Sequence, residues 1–477
     1  MKLRQFARGG ALGIATLVVE KGAAFLLIVL LARTLPPETY GIYSFVVAYL
    51  TLFQVLADFG LEPVLVHRLS AGEGEREEIL SAGLGLRLGL ALASGSLAMV
   101  LAPWASGEGA SILPVVGLGA AGMLFLAQPG FRALLRAELR LGAVLTVASA
   151  TAATVLALVF LTVWRGGGLE AVLVAYAAAV WAGLALAAVL VRRDLRFRPR
   201  VQLALWRGLL AESWPVGLNL FLIMLGLRAA ALVLMREAGP VAVGYYASAA
   251  RLGEATNLIG EGVLLVVFPV LARLGAGRAE QMARLSRLVT KGLTASLCLV
   301  ALVVGALAEE FMAAVFGASF AAAGAPLAIL LWAAPLAAVG SLYANLLIVA
   351  GRQRALLAVN AVVAVVLIAL QLVLVPRLGI EGAAIGVVVG MSCGHLLLAA
   401  APPTRRWIGP SFRAMLPILA SALASLMAVS AFADGMGRAL WLALLFPSVL
   451  FATGLLSMGD LVELRRLLGV SAADEEA

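Results

Sequence analysis

Residues 31–46 read LARTLPPETYGIYSFV and residues 234–249 read LMREAGPVAVGYYASA, each joining the end of one apolar stretch to the start of the next. One constant offset pairs Pro37 with Pro240, Gly41 with Gly244, Tyr43 with Tyr246 and Asp58 with Glu261. Further echoes follow. EPVLVHRL from Glu62 returns as FPVLARL from Phe268, and the GGGLEAV run ending at Val172 returns as LGIEGAA ending at Ala384. Such self-similarity is read as two homologous halves before any single element is assigned.

The composition places both halves in a membrane. The chain is 63% hydrophobic and 13% charged, with mean hydropathy +1.05, whereas soluble domains are roughly 45–50% apolar and about 25% charged. Fourteen apolar stretches can be marked, each close to the ~20 residues that cross a bilayer as a helix. In the first half they fall at 9–32, 40–62, 79–102, 111–131, 142–164 and 169–191. The second half gives 214–235, 241–268, 288–308, 324–350, 355–375 and 380–401, followed by a pair at 413–433 and 439–458. The expected fold class is an all-α polytopic membrane protein of about 14 transmembrane helices, built from two parallel-repeat six-helix lobes and a C-terminal pair. Six spans return the chain to its starting side, so the halves enter the membrane in the same sense, an arrangement found in transporters whose path lies between the repeats. The expected domains are 1–191 and 214–401 for the lobes, 192–213 for a linker with a short interfacial helix, 402–458 for the extra pair and 459–477 for a tail. The tail's GDLVELRRLLGV stretch reads as a surface helix.

Charge sets the orientation. Of the 35 Lys and Arg, 26 lie at the termini and in alternate connections, and five (Arg33, Arg165, Arg236, Arg377 and Arg438) lie in the opposite connections. Short cytoplasmic loops retain basic residues, so both termini are expected on the cytoplasmic side. The formal charge of +9 then reflects topology and contact with anionic lipid rather than nucleic-acid binding. Cys298 and Cys393 lie in apolar runs and form no metal-ligand or disulfide pattern. The chain carries no phosphate loop with Lys and Ser/Thr, no H-E-x-x-H and no G-x-S-x-G. No catalytic residue, metal site or cofactor is therefore expected, and the chain is read as a non-enzyme.

The PPETYGIYS hinge after the first span, ADFGLE at the end of the second, and the 6+6 plan with an extra pair resemble the polysaccharide flippases of the multidrug/oligosaccharidyl-lipid/polysaccharide exporter superfamily. The resemblance covers essentially the whole chain. It implies a multi-pass protein of the bacterial cytoplasmic (inner) membrane that moves an undecaprenyl-pyrophosphate-linked oligosaccharide outward by alternating access. It also implies lipid-linked oligosaccharide and the bilayer as partners, with polysaccharide polymerase or export machinery as a further one. Related branches flip peptidoglycan precursors or export drugs. A membrane polymerase or ligase is disfavoured by the shortness of the outer connections 103–110 and 309–323.

A pyrophosphate crossing hydrocarbon needs compensating charge, because an unpaired ion there is costly. Lys21, Arg228 and Arg251 lie at depth in their spans and are the expected headgroup-binding cations, Arg for its forked phosphate contacts and Lys as a compact charge. The alternative is neutralisation inside each lobe, since Glu254 stands one helical turn from Arg251 and Glu20 adjoins Lys21. Glu20 and Glu254 are also candidates for ion coupling. Asp58 and Glu261, equivalent in the repeat, are candidates for closing an inner gate with basic loops or for reaching to the interface. His395 and the intramembrane Asn residues read as packing and interhelical hydrogen-bonding groups.

Overall fold

The computed structural model describes residues 2–71, 76–123, 134–136, 138, 140–192, 201–275, 278–402 and 404–468. Pro129, residues 193–200 of the expected linker and residues 469–477 of the expected tail lie outside them. The described residues are helical throughout, without strands. By contacts the chain forms two compact units, Met1–Gly244 and Tyr245–Ala477.

The first unit begins with α1 (Lys2–Thr34), α2 (Pro37–Asp58), α3 (Leu61–Ala71) and α4 (Arg76–Ser106). After a 3-10 turn come α5 (Leu113–Met123), α6 (Leu141–Trp164) and α7 (Leu169–Arg192), and then α8 (Leu203–Ala255), which runs beyond the unit. Proline places the start of α2. Pro36 is extended at the N-cap, Pro37 opens the helix where no N–H partner is needed, and the Pro36 carbonyl accepts from Tyr40 N–H at 2.9 Å. ADFGLE does not end the span. Phe59 (φ 43) and Gly60 (φ 75) adopt the left-handed conformation that closes α2, and α3 resumes at once. The apolar run continues through this break from Pro37 to Leu69. Within the unit α1 packs on α6, α6 on α7, α2 on α4 and α5 on α7. Tyr49 donates to the Ala98 carbonyl at 2.6 Å across the α2–α4 seam.

The separate interfacial helix expected in the linker is instead the first part of α8, which runs without a loop into the apolar stretch. Trp206 anchors it by donating to the Ala82 carbonyl at 2.9 Å, and Arg68 grips Glu212 with two nitrogens. Trp214, expected at headgroup level beside Trp206, is half exposed.

The second unit continues with α9 (Asn257–Leu274), α10 (Ala279–Ala306), α11 (Ala308–Phe316), α12 (Gly324–Leu330) and α13 (Ala333–Val349). It is completed by α14 (Gln353–Ala400), α15 (Arg405–Ser430), α16 (Gly435–Ala452) and α17 (Met458–Leu468). Its hub is α10, which packs on α9, α13, α15, α16 and α17. The core around it holds Leu285, Leu297, Tyr343 and Trp407.

Ten helices among the described residues are long and apolar enough to cross a membrane, or eleven if the bent pair Ala318–Leu330 and Ala333–Val349 is one span. Two of the ten each cover a pair of the stretches marked in the sequence. They bend at non-helical glycines, Gly239 (φ 78) in α8 and Gly379 (φ 57) in α14. Large apolar side chains such as Val100, Met427 and Leu444 are left more than 60% exposed. Such faces suit lipid rather than water.

Candidate functional site

The repeated hinge becomes a contact. Pro240 follows the Gly239 break as Pro37 follows Pro36, and the two glycines one turn later meet. A Cβ on Gly41 would lie 1.7 Å from the Pro240 carbonyl oxygen, and one on Gly244 would lie 2.6 Å from the Pro37 carbonyl oxygen. Only side chains of one hydrogen let α2 and α8 approach this closely. A second tight crossing lies at the α2–α3 break, where a Cβ on Gly217 would stand 2.5 Å from the Phe59 carbonyl oxygen. Glu170 and Glu381, the acids of the other sequence echo, follow positive-φ glycines at different spacings, with Gly166 four residues before the one and Gly379 two residues before the other.

The candidate charges have different surroundings. In α1, Lys21 is exposed and Glu20 is half-buried; neighbours along a helix diverge by about 100°. Arg228 is half-buried in α8. Arg251, also half-buried, donates to Glu254 Oε2 at 2.9 Å. Glu261 is exposed on α9, unlike its repeat counterpart. Asp58 is half-buried and forms an ion pair with Arg87 of α4, 2.7 Å apart, with the Arg87 side chain only 8% exposed. The partner of Asp58 is thus inside its own unit and not a basic loop. Near it, Arg136, from the segment between α5 and α6, donates to Glu62 of α3 at 2.7 Å, so one ion pair joins α2 to α4 and a second joins α3 to that segment. Sequence reasoning left Arg87 without a role. Its signal was a lone Arg in an apolar stretch; its partner could not be read from that.

His395 is buried, with Nδ1 2.9 Å from the Met391 carbonyl and its ring against Tyr343, as a packing residue is. Asn345 donates to the Ser341 carbonyl at 3.0 Å within its own helix. No group of three metal-ligating side chains occurs among the described residues.

At the basic end of the second unit, α17 begins with a reciprocal cap. Ser457 Oγ accepts from Asp460 N–H at 3.2 Å, and Asp460 Oδ2 accepts from Ser457 N–H at 3.0 Å. Lys291 of α10 donates to both Asp460 oxygens at 3.1 Å. Burial acts to raise the pKa of Asp460, but the bonds from Lys291 and Ser457 outweigh it and hold the carboxyl below its ordinary range. A depressed folded pKa gives stability that is present above the unfolded value, about 3.9, and is lost as pH falls through the folded one. Hydrogen exchange should therefore show α17 docked from pH 7 to about 4 and released only on further acidification. Asp460→Asn should release it at every pH; equal protection in that variant would contradict this anchor.

Residues 6–275 match the family described as "Polysaccharide biosynthesis protein". The chain belongs to this family. No curated protein matches the chain significantly. Among solved structures, the chain is similar to lipid II flippase MurJ in an inward closed conformation, with TM-score 0.71 and 13% identity over 94% of this chain and 100% of that one. It also resembles an inward-facing multidrug resistance MATE transporter of the MOP superfamily, with TM-score 0.60 and 13% identity over 86% of this chain and 99% of that one. A third, the Vibrio cholerae MATE transporter VcmN, gives TM-score 0.54 and 14% identity over 83% of this chain and 95% of that one. At these identities the likeness concerns the fold. By the length and composition of its apolar helices, this polysaccharide-biosynthesis family member is a multi-pass membrane protein.

Proposed function

We propose that the protein translocates an undecaprenyl-pyrophosphate-linked oligosaccharide from the cytoplasmic to the outer leaflet by alternating access, for surface polysaccharide biosynthesis. The observation that carries this reading is the family match over residues 6–275. The exporter fold supports it, because that fold hosts movement of a bulky solute through a path rather than chemistry on it. In this reading the protein lies in the bacterial inner membrane with both termini cytoplasmic, an orientation supported by the asymmetry of basic residues. Fourteen spans in two superposable six-helix lobes and an extra pair complete it. Removing the gene should leave the lipid-linked glycan in the membrane and abolish surface polysaccharide. Normal surface glycan with altered drug tolerance would select efflux instead. The likeness to MurJ favours a second reading, flipping of a lipid-linked peptidoglycan precursor; accumulation of that precursor with arrested growth would select it.

The headgroup in this proposal is met by Lys21, Arg228 and Arg251, with Glu20, Asp58, Glu254 and Glu261 as charge partners or coupling groups. Hydrogen bonds to charged groups contribute about 1.5–3 kcal/mol, so Arg228→Ala and Arg251→Ala should each lower transport about tenfold or more with expression intact. Lysine at either position should rescue partly, since it keeps the charge and loses the fork. Arg251 also holds Glu254, which gives a sharper test. If Arg251 serves only that pair, the double change Arg251→Ala with Glu254→Gln will restore transport, and the headgroup role is lost.

A further inference from the structure

The basic end of the second unit contains two cavities of opposite character. The larger, about 790 Å³, lies between α10 and α17 and balances its charges, with Glu280 and Glu463 beside Arg284 and Arg466. The smaller, about 550 Å³, lies between α10 and α15 and is lined by Arg287, Lys291, Pro410, Arg413 and Ala414. Three cations line it and no acid does. Arg287 and Lys291 stand four residues apart on one face of α10, a spacing at which like charges repel. Packing fixes the opposite wall, because α10 and α15 are joined by a buried Ser286–Ser411 hydroxyl contact of 2.8 Å. Lys291 is partly matched by Asp460, and Arg413 Nε reaches the Gly409 carbonyl at 3.4 Å. No carboxylate pairs with Arg287 or Arg413 among the described residues. Other arginines of this end have different partners, since Arg406 and Arg352 sit over the Trp407 ring at 4.0 and 5.9 Å.

The surroundings of the smaller cavity identify the anion. Arg413 heads a face of α15 that continues through Leu416, Ala420, Leu423 and Met427 at helical spacing, all exposed and otherwise apolar. A ligand bound here would meet guanidinium groups at one end and a strip for hydrocarbon below, which is the plan of a phospholipid. Basic pockets between transmembrane helices bind phosphate-bearing headgroups. We infer that the cleft of Arg287, Lys291 and Arg413 binds the phosphate of an anionic phospholipid, its acyl chains lying along Leu416, Leu423 and Met427. Asp460 competes for Lys291 and tempers the affinity. This site does not depend on which solute the protein transports.

The test uses the full chain in dodecyl maltoside, with bound lipid read by native mass spectrometry. The probes are dioleoyl phosphatidylglycerol, dioleoyl phosphatidylcholine and glycerol 1-phosphate. A cation at a membrane surface contributes roughly fivefold in affinity, so Arg287→Gln with Arg413→Gln should weaken phosphatidylglycerol binding about twentyfold and leave phosphatidylcholine unchanged. The control Arg284→Gln with Arg466→Gln removes two charges from the neighbouring cavity and should bind as the wild type does. An equal loss in the control would mean that general charge attraction, not this cleft, holds the lipid. Glycerol 1-phosphate binding as tightly as the lipid would make this a site for soluble anions and overturn the assignment. Asp460→Asn should tighten phosphatidylglycerol binding about fivefold by freeing Lys291. If the double variant fails to fold, this gain decides the matter, and its absence overturns the proposal.

Discussion

Gly41→Ala and Gly244→Ala are each expected to destabilise the protein by about 2–3 kcal/mol, the upper part of the range for overpacking. The cause is geometric. The new methyl of Gly41→Ala would sit 1.7 Å from a backbone oxygen, and that of Gly244→Ala 2.6 Å from another. Neither oxygen belongs to a side chain that can rotate away, so α2 and α8 must separate. The matched control is Gly22→Ala in α1, where a Cβ meets nothing within 4 Å. Alanine there should be neutral or stabilising by up to about 1 kcal/mol, because it improves helix propensity. Unfolding in mixed micelles measures all three. Similar transitions for Gly41→Ala and Gly22→Ala would mean that the hinge contact is not close-packed.

The second large effect concerns Arg87 and Asp58. Arg87→Met leaves a half-buried carboxylate without its guanidinium, and breaking such a pair from one side costs about 3–5 kcal/mol. Neutralising both partners removes the uncompensated charge, so Arg87→Met with Asp58→Asn should recover most of that loss. The same unfolding assay applies, together with expression level in the membrane. A double variant no better than Arg87→Met would show that Arg87 acts by filling space. Recovered stability without recovered transport would assign the pair a part in turnover as well as in folding.

The sequence made the helices and their joints legible for physical reasons. Hydropathy over some 20 residues reports burial in lipid without reference to any partner, and prolines and glycines mark the bends. Gly239 and Gly379 lie between expected spans, and at each the helical conformation is broken by a non-helical glycine. The surface helix at the C-terminus was likewise visible from its mixed charge. ADFGLE misled because a break and an end look alike in sequence. Nothing in the residues announces that Phe59 will take a left-handed conformation and let the helix resume. Charge pairing was less legible still. Asp58–Arg87 and Lys291–Asp460 join different helices, and which side chains meet depends on how packed helices are rotated about their axes. Repeat symmetry suggested a shared role for Asp58 and Glu261, yet one is half-buried in an ion pair and the other exposed.

That divergence has a mechanical counterpart in the second helix of each half. The offset pairing Pro37 with Pro240 would place the counterpart of the Phe59–Gly60 break at residues 262–263. There α9 runs uninterrupted, and the nearest irregularity is at Thr256, about 10 Å along the axis at 1.5 Å per residue. A chimaera carrying residues 240–274 in place of 37–71 would inherit the hinge proline and glycine but articulate at a different height. The two segments that echo each other in sequence are thus matched at the proline and glycine where they touch and differ in the height at which they bend.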